Sequence, residues 1–311
     1  MRTGGGQVLV IGAAGFDLKV FPREPAVEPA RSNPGTIRWA WGGVARNIAE
    51  NLARLGVDVR LVTAVGDDWW GHALLQDIES IGVDISGCVI SGMRATASYV
   101  ALHHTDRRLW VAFDDMAVIR EITPAHLYRL RRSVREADLV CIDANLSEPA
   151  LRTLFRLCEQ YETPVCVDPT AALLAHRLHA YLPRIAIITP DRDEAEALLG
   201  MRMDNEDAIS MGARRFVQLG VQLAIITLGA DGLYYATSEE SGRLPALPVE
   251  VVDPTGAGDA LTAAVAYGLL EGVSPEEAVR LGMAAAACTL ECQDTVCPDL
   301  SPEALYERLV L

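Results

Sequence analysis

A glycine-rich turn near the C-terminus carries the residues best suited to chemistry. It reads DPTGAGD over residues 253–259, between an apolar stretch (247–252) that predicts a strand and an apolar helix. Glycines let backbone N–H groups approach a ligand closely and a helix N-terminus adds positive potential, so the turn is predicted to bind an anion such as phosphate. Asp259 would repel that anion, which a role as general base for an attacking hydroxyl would explain. Simple capping of the helix by Asp259 is the alternative.

Three further stretches carry glycines or paired polar groups: GGVARNIA at residues 42–49, PDRDEAE at 190–196 and TLGADG at 227–232. Together with DPTGAGD, and in the same order along the chain, they resemble the motifs of the ribokinase-like (PfkB) family of sugar and nucleoside kinases. The resemblance extends over nearly the whole chain. It implies an α/β fold, namely a ribokinase-like three-layer sandwich with a central, mostly parallel sheet and a small β-sheet lid.

The same resemblance implies a role for each matching residue. Asp259 would be the catalytic base, and an anion hole for the transferring phosphoryl group would be formed by the amides of Gly256, Ala257 and Gly258. The acceptor would be bound by Asp17, Gly42, Gly43, Asn47 and Asn145. ATP would lie along Asp191, Thr227, Gly229 and Gly232, and Glu194 would help to organise Mg²⁺ through water.

Two positions bear on the cofactors. The family's Asn-x-x-Glu reads Asp191-x-x-Glu194 here, which removes an amide donor and adds negative charge beside the nucleotide. Asp253 and the backbone near Thr255 resemble the loop that holds a monovalent cation in relatives, which makes K⁺ a candidate ion besides Mg²⁺.

Several stretches resemble the pseudouridine kinases of this family more than its ribokinases or fructokinases, namely residues 44–53, 98–102, 114–116, 143–148 and 167–170. A nucleoside needs an apolar wall and polar groups that read the base. Candidates for the wall are Tyr99, Phe113 and Met116, and candidates for the base edge are Asp115 and Arg46. Alternatively, Arg46 is a surface helix residue and Tyr99 belongs to the core of the lid. Leu174 stands near the place where many of these relatives carry a lysine.

The predicted reaction is therefore transfer of the γ-phosphate of ATP to the 5′-hydroxyl of pseudouridine, giving pseudouridine 5′-phosphate. A kinase for another nucleoside or for a free sugar, such as adenosine, ribose or fructose, is the alternative within the family. A nucleoside-binding protein without catalysis is the alternative from another class, and the intact Asp259 with its glycines argues against it.

Apolar runs alternate with helical patterns along most of the chain, which predicts a parallel sheet covered by helices on both faces. The predicted strands are residues 7–12, 58–65, 139–143, 165–168, 185–189 and 223–228, and the predicted helices include 44–55, 70–81, 148–160 and 172–181. Four short strands with mixed faces fall outside this rhythm, at residues 16–21, 36–41, 97–103 and 108–113. We expect them to form a separate lid or oligomer clasp rather than to extend the main sheet. We interpret residues 1–311 as one domain, with lid strands drawn from about 16–41 and 97–113.

Composition limits the partners. The 311 residues carry a net charge of −15, and a surface this acidic disfavours nucleic acids and anionic membranes. The seven cysteines show no CxxC pattern, which predicts free thiols in a reducing cytoplasm; the loose spacing of Cys288, Cys292 and Cys297 lacks a nearby histidine for a metal site. We expect a small-molecule substrate, no membrane span, and a homodimer formed through the lid.

Overall fold

The computed structural model describes residues 6–24 and 27–310. The strands are β1 (Gln7–Ile11), β2 (Gly15–Pro22), β3 (Gly35–Gly42), β4 (Asp58–Val62), β5 (Ala64–Gly66), β6 (Val89–Ser91), β7 (Ala97–His103), β8 (Leu109–Asp115), β9 (Leu139–Asp143), β10 (Val165–Asp168), β11 (Ile187–Ile188), β12 (Leu223–Thr227), β13 (Leu233–Ala236) and β14 (Ser241–Leu244). The α-helices are α1 (Val44–Arg54), α2 (Trp69–Ser80), α3 (Pro124–Arg129), α4 (Arg131–Glu136), α5 (Glu148–Tyr161), α6 (Ala172–Ala175), α7 (Arg192–Leu199), α8 (Glu206–Gln218), α9 (Ala257–Leu270), α10 (Pro275–Leu290) and α11 (Pro302–Val310). Residues 25 and 26, inside the predicted 16–41 lid segment, lie outside the described residues.

The main sheet has eight strands in the order β14-β13-β12-β11-β10-β9-β1-β4. The six from β12 to β4 are parallel, and β13 and β14 pair antiparallel at one edge. Hydrophobic side chains pack on both faces, with α5, α7 and α8 covering one face and α1, α9 and α10 the other. The predicted sheet buried between two helical layers is confirmed. In such a sheet the carboxyl ends of the parallel strands meet at one edge, where ligands bind.

A separate four-stranded sheet has the order β3-β2-β7-β8, and we call it the small sheet. Successive side chains of a strand point to opposite faces, so the register separates two sets of residues. One face carries polar groups, namely Asp17, Lys19, Tyr99 and Asp114. The other face is mostly apolar, with Leu18, Val20, Ile37, Trp39, Val100 and Phe113. The four strands therefore form their own sheet, and extension of the main sheet is excluded.

Three predicted elements differ from the structure. Residues 247–252 are not a strand: they run without sheet pairing, Pro248 has no N–H to donate, and Val251 is exposed. The sequence analysis did not predict the hairpin of β13 and β14, which precedes the glycine-rich turn in the chain and forms one edge of the main sheet. The predicted 58–65 strand is divided between β4 and β5, and the predicted helix 172–181 becomes a short α6 followed by a 3₁₀ helix over His176–Arg184.

Two further features concern the whole described chain. No helix in residues 6–24 and 27–310 combines the length and the apolar character needed to cross a membrane. All seven cysteines carry free thiols, and Cys141 and Cys166 are buried on adjacent strands of the main sheet.

Candidate active site

The glycine-rich turn gives α9 an open N-terminus. Gly256 precedes the helix with a positive φ of 87°, and a Cβ there would lie 1.9 Å from the carbonyl oxygen of Thr295, so only glycine fits. A Cβ on Gly258 would meet no atom within 4 Å, which leaves open space beside the backbone. Because the first N–H groups of a helix have no intrahelical acceptor, the amides of Gly256 and Gly258 can receive an anion here, whereas the Ala257 amide makes a long 3.5 Å bond to the carbonyl oxygen of Pro254.

Asp259 lies in the first turn of α9 and is 8% exposed. Its Oδ2 accepts a hydrogen bond of 2.7 Å from Nδ2 of Asn47, 212 residues earlier in the chain. Burial, reinforced by the charge of Asp168, raises the pKa of Asp259, although the Asn47 bond opposes the shift. The N-cap position belongs to Gly256, so the capping alternative for Asp259 does not describe the structure.

The amide of Asn47 is held from its other end. Its Oδ1 accepts a hydrogen bond from Nη1 of Arg46 at 3.0 Å, so Nδ2 is left to face Asp259. The Thr295 hydroxyl lies 3.3 Å from this Oδ1 but donates to the carbonyl oxygen of Trp41 at 2.6 Å. Arg46 itself is buried and paired with Glu50 and Asp77. Arg46 is therefore not a surface residue, and the surface interpretation is wrong, whereas its role in reading a base stays a prediction.

Asp17 approaches the glycine pair at the end of β3. A Cβ on Gly42 would lie 2.4 Å from Oδ1 of Asp17, so glycine is needed for this approach. Gly43 has a φ of 95° and turns the chain from β3 into α1. Burial raises the pKa of Asp17 to about 6, against the opposing charges of Lys19 and Arg46.

Asp143 and Asp168 end β9 and β10 at the same edge, and sequence reasoning did not select them as site residues. Oδ2 of Asp143 accepts from the amides of Ala13 (2.7 Å) and Ala45 (3.2 Å), and Oδ1 accepts from the amide of Asn145 (2.9 Å). Asp143 thus fixes the turn after β1, the start of α1 and the position of Asn145. The sequence signal that could have identified them is that β9 and β10, two successive strands, each consist of apolar residues followed by one final aspartate.

Carboxylates crowd the next part of the edge. Burial raises the pKa of Asp168 to about 7, assisted by the charges of Asp143 and Asp191. Burial likewise raises the pKa of Glu194 to about 8, with Asp168 and Asp191 contributing. Asp191 caps α7 by accepting from the Glu194 amide, and Glu194 accepts from the Asp191 amide, each at 2.8 Å. Because Asp and Asn both serve as N-caps, the replacement of the family's asparagine preserves this local structure.

The remaining nucleotide-side residues follow β12. Thr227 ends that strand, and its amide donates to the carbonyl oxygen of Pro190 at 2.9 Å, which brings it beside Asp191. Gly229 has a φ of 59° and open space where a Cβ would stand. Gly232, in contrast, uses its N–H and C=O within the turn and packs against the carbonyl oxygen of Leu244. It shapes this loop rather than presenting its backbone to a ligand.

The small sheet brings Tyr99 to the site but not Asp115. Tyr99 is half-buried on the face of Asp17, and burial with the charges of Asp17 and Asp114 raises its pKa. Asp115 is exposed on the opposite face and accepts from the amide of Ala117 at 3.1 Å. The prediction of Asp115 as a substrate ligand therefore selected the wrong residue, because Asp114 is the one that shares a face with Tyr99 and Asp17. Phe113, proposed for the wall, is also on the opposite face.

Asp253 and Thr255, the residues considered for a monovalent cation, contact Lys19 of β2. Its Nζ donates to Oδ2 of Asp253 at 2.5 Å and to Oγ1 of Thr255 at 2.6 Å.

Comparisons with known proteins identify the family of the chain. Residues 6–300 match the pfkB family of carbohydrate kinases. Pseudouridine kinase of Escherichia coli strain K12 is 35% identical over 295 residues, covering 94% of this chain and 93% of that protein. A carbohydrate kinase structure from Agrobacterium tumefaciens is 30% identical with a TM-score of 0.85, covering 98% of this chain and 97% of that one.

The structure of Arabidopsis thaliana ribokinase complexed with ribose and ATP superposes with a TM-score of 0.87 at 23% identity, covering 99% of each chain. That similarity shows the ribokinase-like fold and confirms the predicted fold class. With the family match over nearly the whole sequence, the enzyme class is also established as a phosphotransferase with a sugar or nucleoside hydroxyl as acceptor. This chain belongs to the pfkB family of carbohydrate kinases.

Proposed function

We propose that this enzyme transfers the γ-phosphoryl group of ATP to the 5′-hydroxyl of pseudouridine. The observation that carries the mechanism is the Asn47–Asp259 hydrogen bond, because it joins the glycine pair that would hold the acceptor to the turn that would hold the phosphoryl group. The choice of pseudouridine draws support from the 35% identity to a pseudouridine kinase over most of both chains.

In the proposed reaction, the carboxylate of Asp259 takes the proton of the 5′-hydroxyl as its oxygen attacks the γ-phosphorus. A new O–P bond forms, the bond between the γ-phosphorus and the bridging oxygen breaks, and ADP leaves with that electron pair. The amides of 256–258 and the dipole of α9 would stabilise the charge on the transferring group. Phosphoryl transfer depends chiefly on positioning and charge stabilisation, which this turn supplies.

Substrate binding is assigned to the residues around the glycine pair. Asp17 and Asn47 would bind ribose hydroxyls, with the backbones of Gly42 and Gly43 allowing close approach. Asn145, held by Asp143, would add a further polar contact. Tyr99 would pack on the nucleoside from the small sheet, and Asp114 replaces Asp115 as the acidic group on that side.

On the donor side, ATP would lie along Asp191, Thr227 and Gly229. Asp168 and Glu194 are the carboxylates on this side that could face a divalent cation carried by the nucleotide, and burial together with neighbouring carboxylates raises the pKa of each. Glu194 would hold Mg²⁺ through water together with Asp168, and the ion would supply charge neutralisation to the phosphates. Use of ATP and the free thiols favour a cytoplasmic enzyme.

Two alternatives remain as outcomes of the tests. In the first alternative, the contacts to the base are unselective, and the acceptor is another nucleoside or a free sugar, such as adenosine, ribose or fructose. A nucleoside-binding protein without catalysis would need no base at Asp259, and the enclosed carboxylate beside open glycine amides argues against it.

The substrate assignment is tested by a panel of nucleosides and sugars with MgATP, measured as ADP release and product mass. We expect pseudouridine to give a kcat/KM at least about tenfold above uridine, adenosine, ribose and fructose, because binding differences of a few kcal/mol separate such acceptors. Preferred turnover of any other acceptor would overturn the assignment to pseudouridine and retain the kinase.

Replacement of the base is tested with Asp259→Asn. We expect kcat to fall by about 10²–10⁴-fold while nucleoside binding measured by calorimetry persists, because the amide cannot take the proton but can still accept from Asn47. Asp207→Asn, exposed in the first turn of α8, is the matched control and should retain full activity. A similar kcat in both variants would exclude Asp259 as the base.

The raised carboxylate pKa values predict an unusual pH profile. Asp259 must be ionised to accept a proton, and its raised pKa means that protonation begins at a higher pH than for an ordinary aspartate. The pKa of about 6 for Asp17 acts in the same direction. We therefore expect kcat/KM, measured with saturating MgATP, to fall as the pH is lowered below neutrality. Constant activity down to pH 5 would contradict this.

We further propose that the apolar face of the small sheet joins two copies of the chain. Ile37, Trp39 and Phe113 on this face are 67%, 52% and 65% exposed. An apolar surface of this kind marks an interaction site, and the same face on two copies can form a self-complementary interface.

The dimer is tested by light scattering after gel filtration. We expect wild-type protein to have twice the monomer mass, and Phe113→Lys to raise the dissociation constant at least about tenfold, because a charge would be buried among apolar side chains. Met93→Lys, at an exposed position outside the small sheet, is the control and should leave the dimer intact. A monomeric wild-type mass at micromolar concentration would refute the dimer.

A further inference from the structure

The chain contains a single lysine. Its 27 lysine and arginine residues are 26 arginines and Lys19. A guanidinium is planar and donates in a fixed fork, whereas an ammonium is a compact point charge with three donors. The other 26 positions of this kind are arginine, so the one lysine indicates a site that requires the compact cation.

The surroundings of Lys19 meet that requirement. The residue is 8% exposed, and its Nζ lies 2.5 Å from Oδ2 of Asp253 and 2.6 Å from Oγ1 of Thr255. The other carboxylate oxygen of Asp253 accepts from the Thr255 amide at 2.9 Å. Burial alone would raise the pKa of Asp253, but the hydrogen bonds from Lys19 and Thr255 outweigh burial and lower it. The carboxylate is therefore held ionised against the ammonium.

This ion pair connects two parts of the site. Lys19 follows Asp17 by two residues in β2, so both side chains lie on the polar face of the small sheet. Its partners are 234 and 236 residues away and directly precede Gly256, where the anion-binding turn begins. The ammonium thus fixes the turn relative to the strand that carries Asp17.

The same contacts bear on the monovalent cation. Nζ of Lys19 binds Oδ2 of Asp253 and Oγ1 of Thr255, the two side-chain oxygens that K⁺ would otherwise use. The ammonium carries the same single positive charge as K⁺. A second cation at these oxygens would face like-charge repulsion in a buried place. The residues present therefore do not fit an exchangeable ion at these two side chains.

We infer that Lys19 is a built-in replacement for an exchangeable monovalent cation and positions the 253–256 turn, so that the protein does not depend on K⁺. Removal of the ammonium should leave a pair of oxygens that can accept K⁺ or NH₄⁺ in its place. The part of this inference that concerns turnover rests on the proposed kinase function, whereas the part that concerns ion binding does not.

The first experiment compares thermal unfolding in KCl and in tetramethylammonium chloride at equal ionic strength. Wild-type Tm should be the same in both salts. Lys19→Ala should have a lower Tm in tetramethylammonium chloride and regain about 2–4 °C in KCl, because an ion that binds only the folded state stabilises it. Arg60→Ala, which removes the Arg60–Asp84 ion pair away from the site, is the control and should not respond to K⁺.

The second experiment measures turnover with the best acceptor of the panel. Wild-type kcat should change less than twofold between the two salts. Lys19→Ala should lose about 100-fold in kcat, more than its change in KM, and recover at least tenfold in KCl or NH₄Cl. Lys19→Arg should remain impaired, because the guanidinium fork cannot occupy the position of a compact ammonium.

The outcomes separate the two proposals. If no acceptor is phosphorylated, the proposed function fails and the unfolding experiment still decides the ion question. The inference is overturned if the Tm or the kcat of the wild-type protein is higher in KCl than in tetramethylammonium chloride. It is also overturned if Lys19→Ala folds but its Tm does not rise in KCl. If Lys19→Ala does not fold, Lys19→Gln provides the same comparison, and the wild-type salt test stands independently.

Discussion

The candidate active site depends on one hydrogen bond that keeps a carboxylate buried beside other carboxylates. Asp259 is enclosed near Asp168, Asp143 and Asp17, and burial without a donor would be costly for its ionised form. Asn47 provides that donor, and Arg46 fixes which end of the Asn47 amide faces Asp259. Because the bond joins the two helices, it constrains α1 and α9 together.

The carboxylates at this edge of the main sheet differ in their hydrogen-bond and charge partners. Asp143 is satisfied by three backbone amides and acts as a fixed support. Asp253 is neutralised by Lys19. Asp168 and Glu194 are close to other carboxylates, and burial with these neighbouring charges raises the pKa of both.

The small sheet has two different surfaces because strand side chains alternate. Its polar face carries Asp17, Lys19 and Tyr99, and its other face is mostly apolar, with Ser98 and Asp115 at one end. The same four strands can thus contribute to substrate binding and to contact with a second copy. The alternation also explains why Asp114 and Asp115, adjacent in sequence, face different surroundings.

The sequence by itself determined the alternation of strands and helices, the separate small sheet, and most of the residues gathered around α9. These features depend on local periodicity and on motifs whose glycines are required by backbone geometry, as Gly42 and Gly256 show. Only the tertiary structure decided that Asp114 rather than Asp115 lies beside Tyr99, that Arg46 is enclosed, and that Lys19 reaches Asp253. These facts depend on strand register and on contacts between residues more than 200 positions apart, which no local pattern encodes.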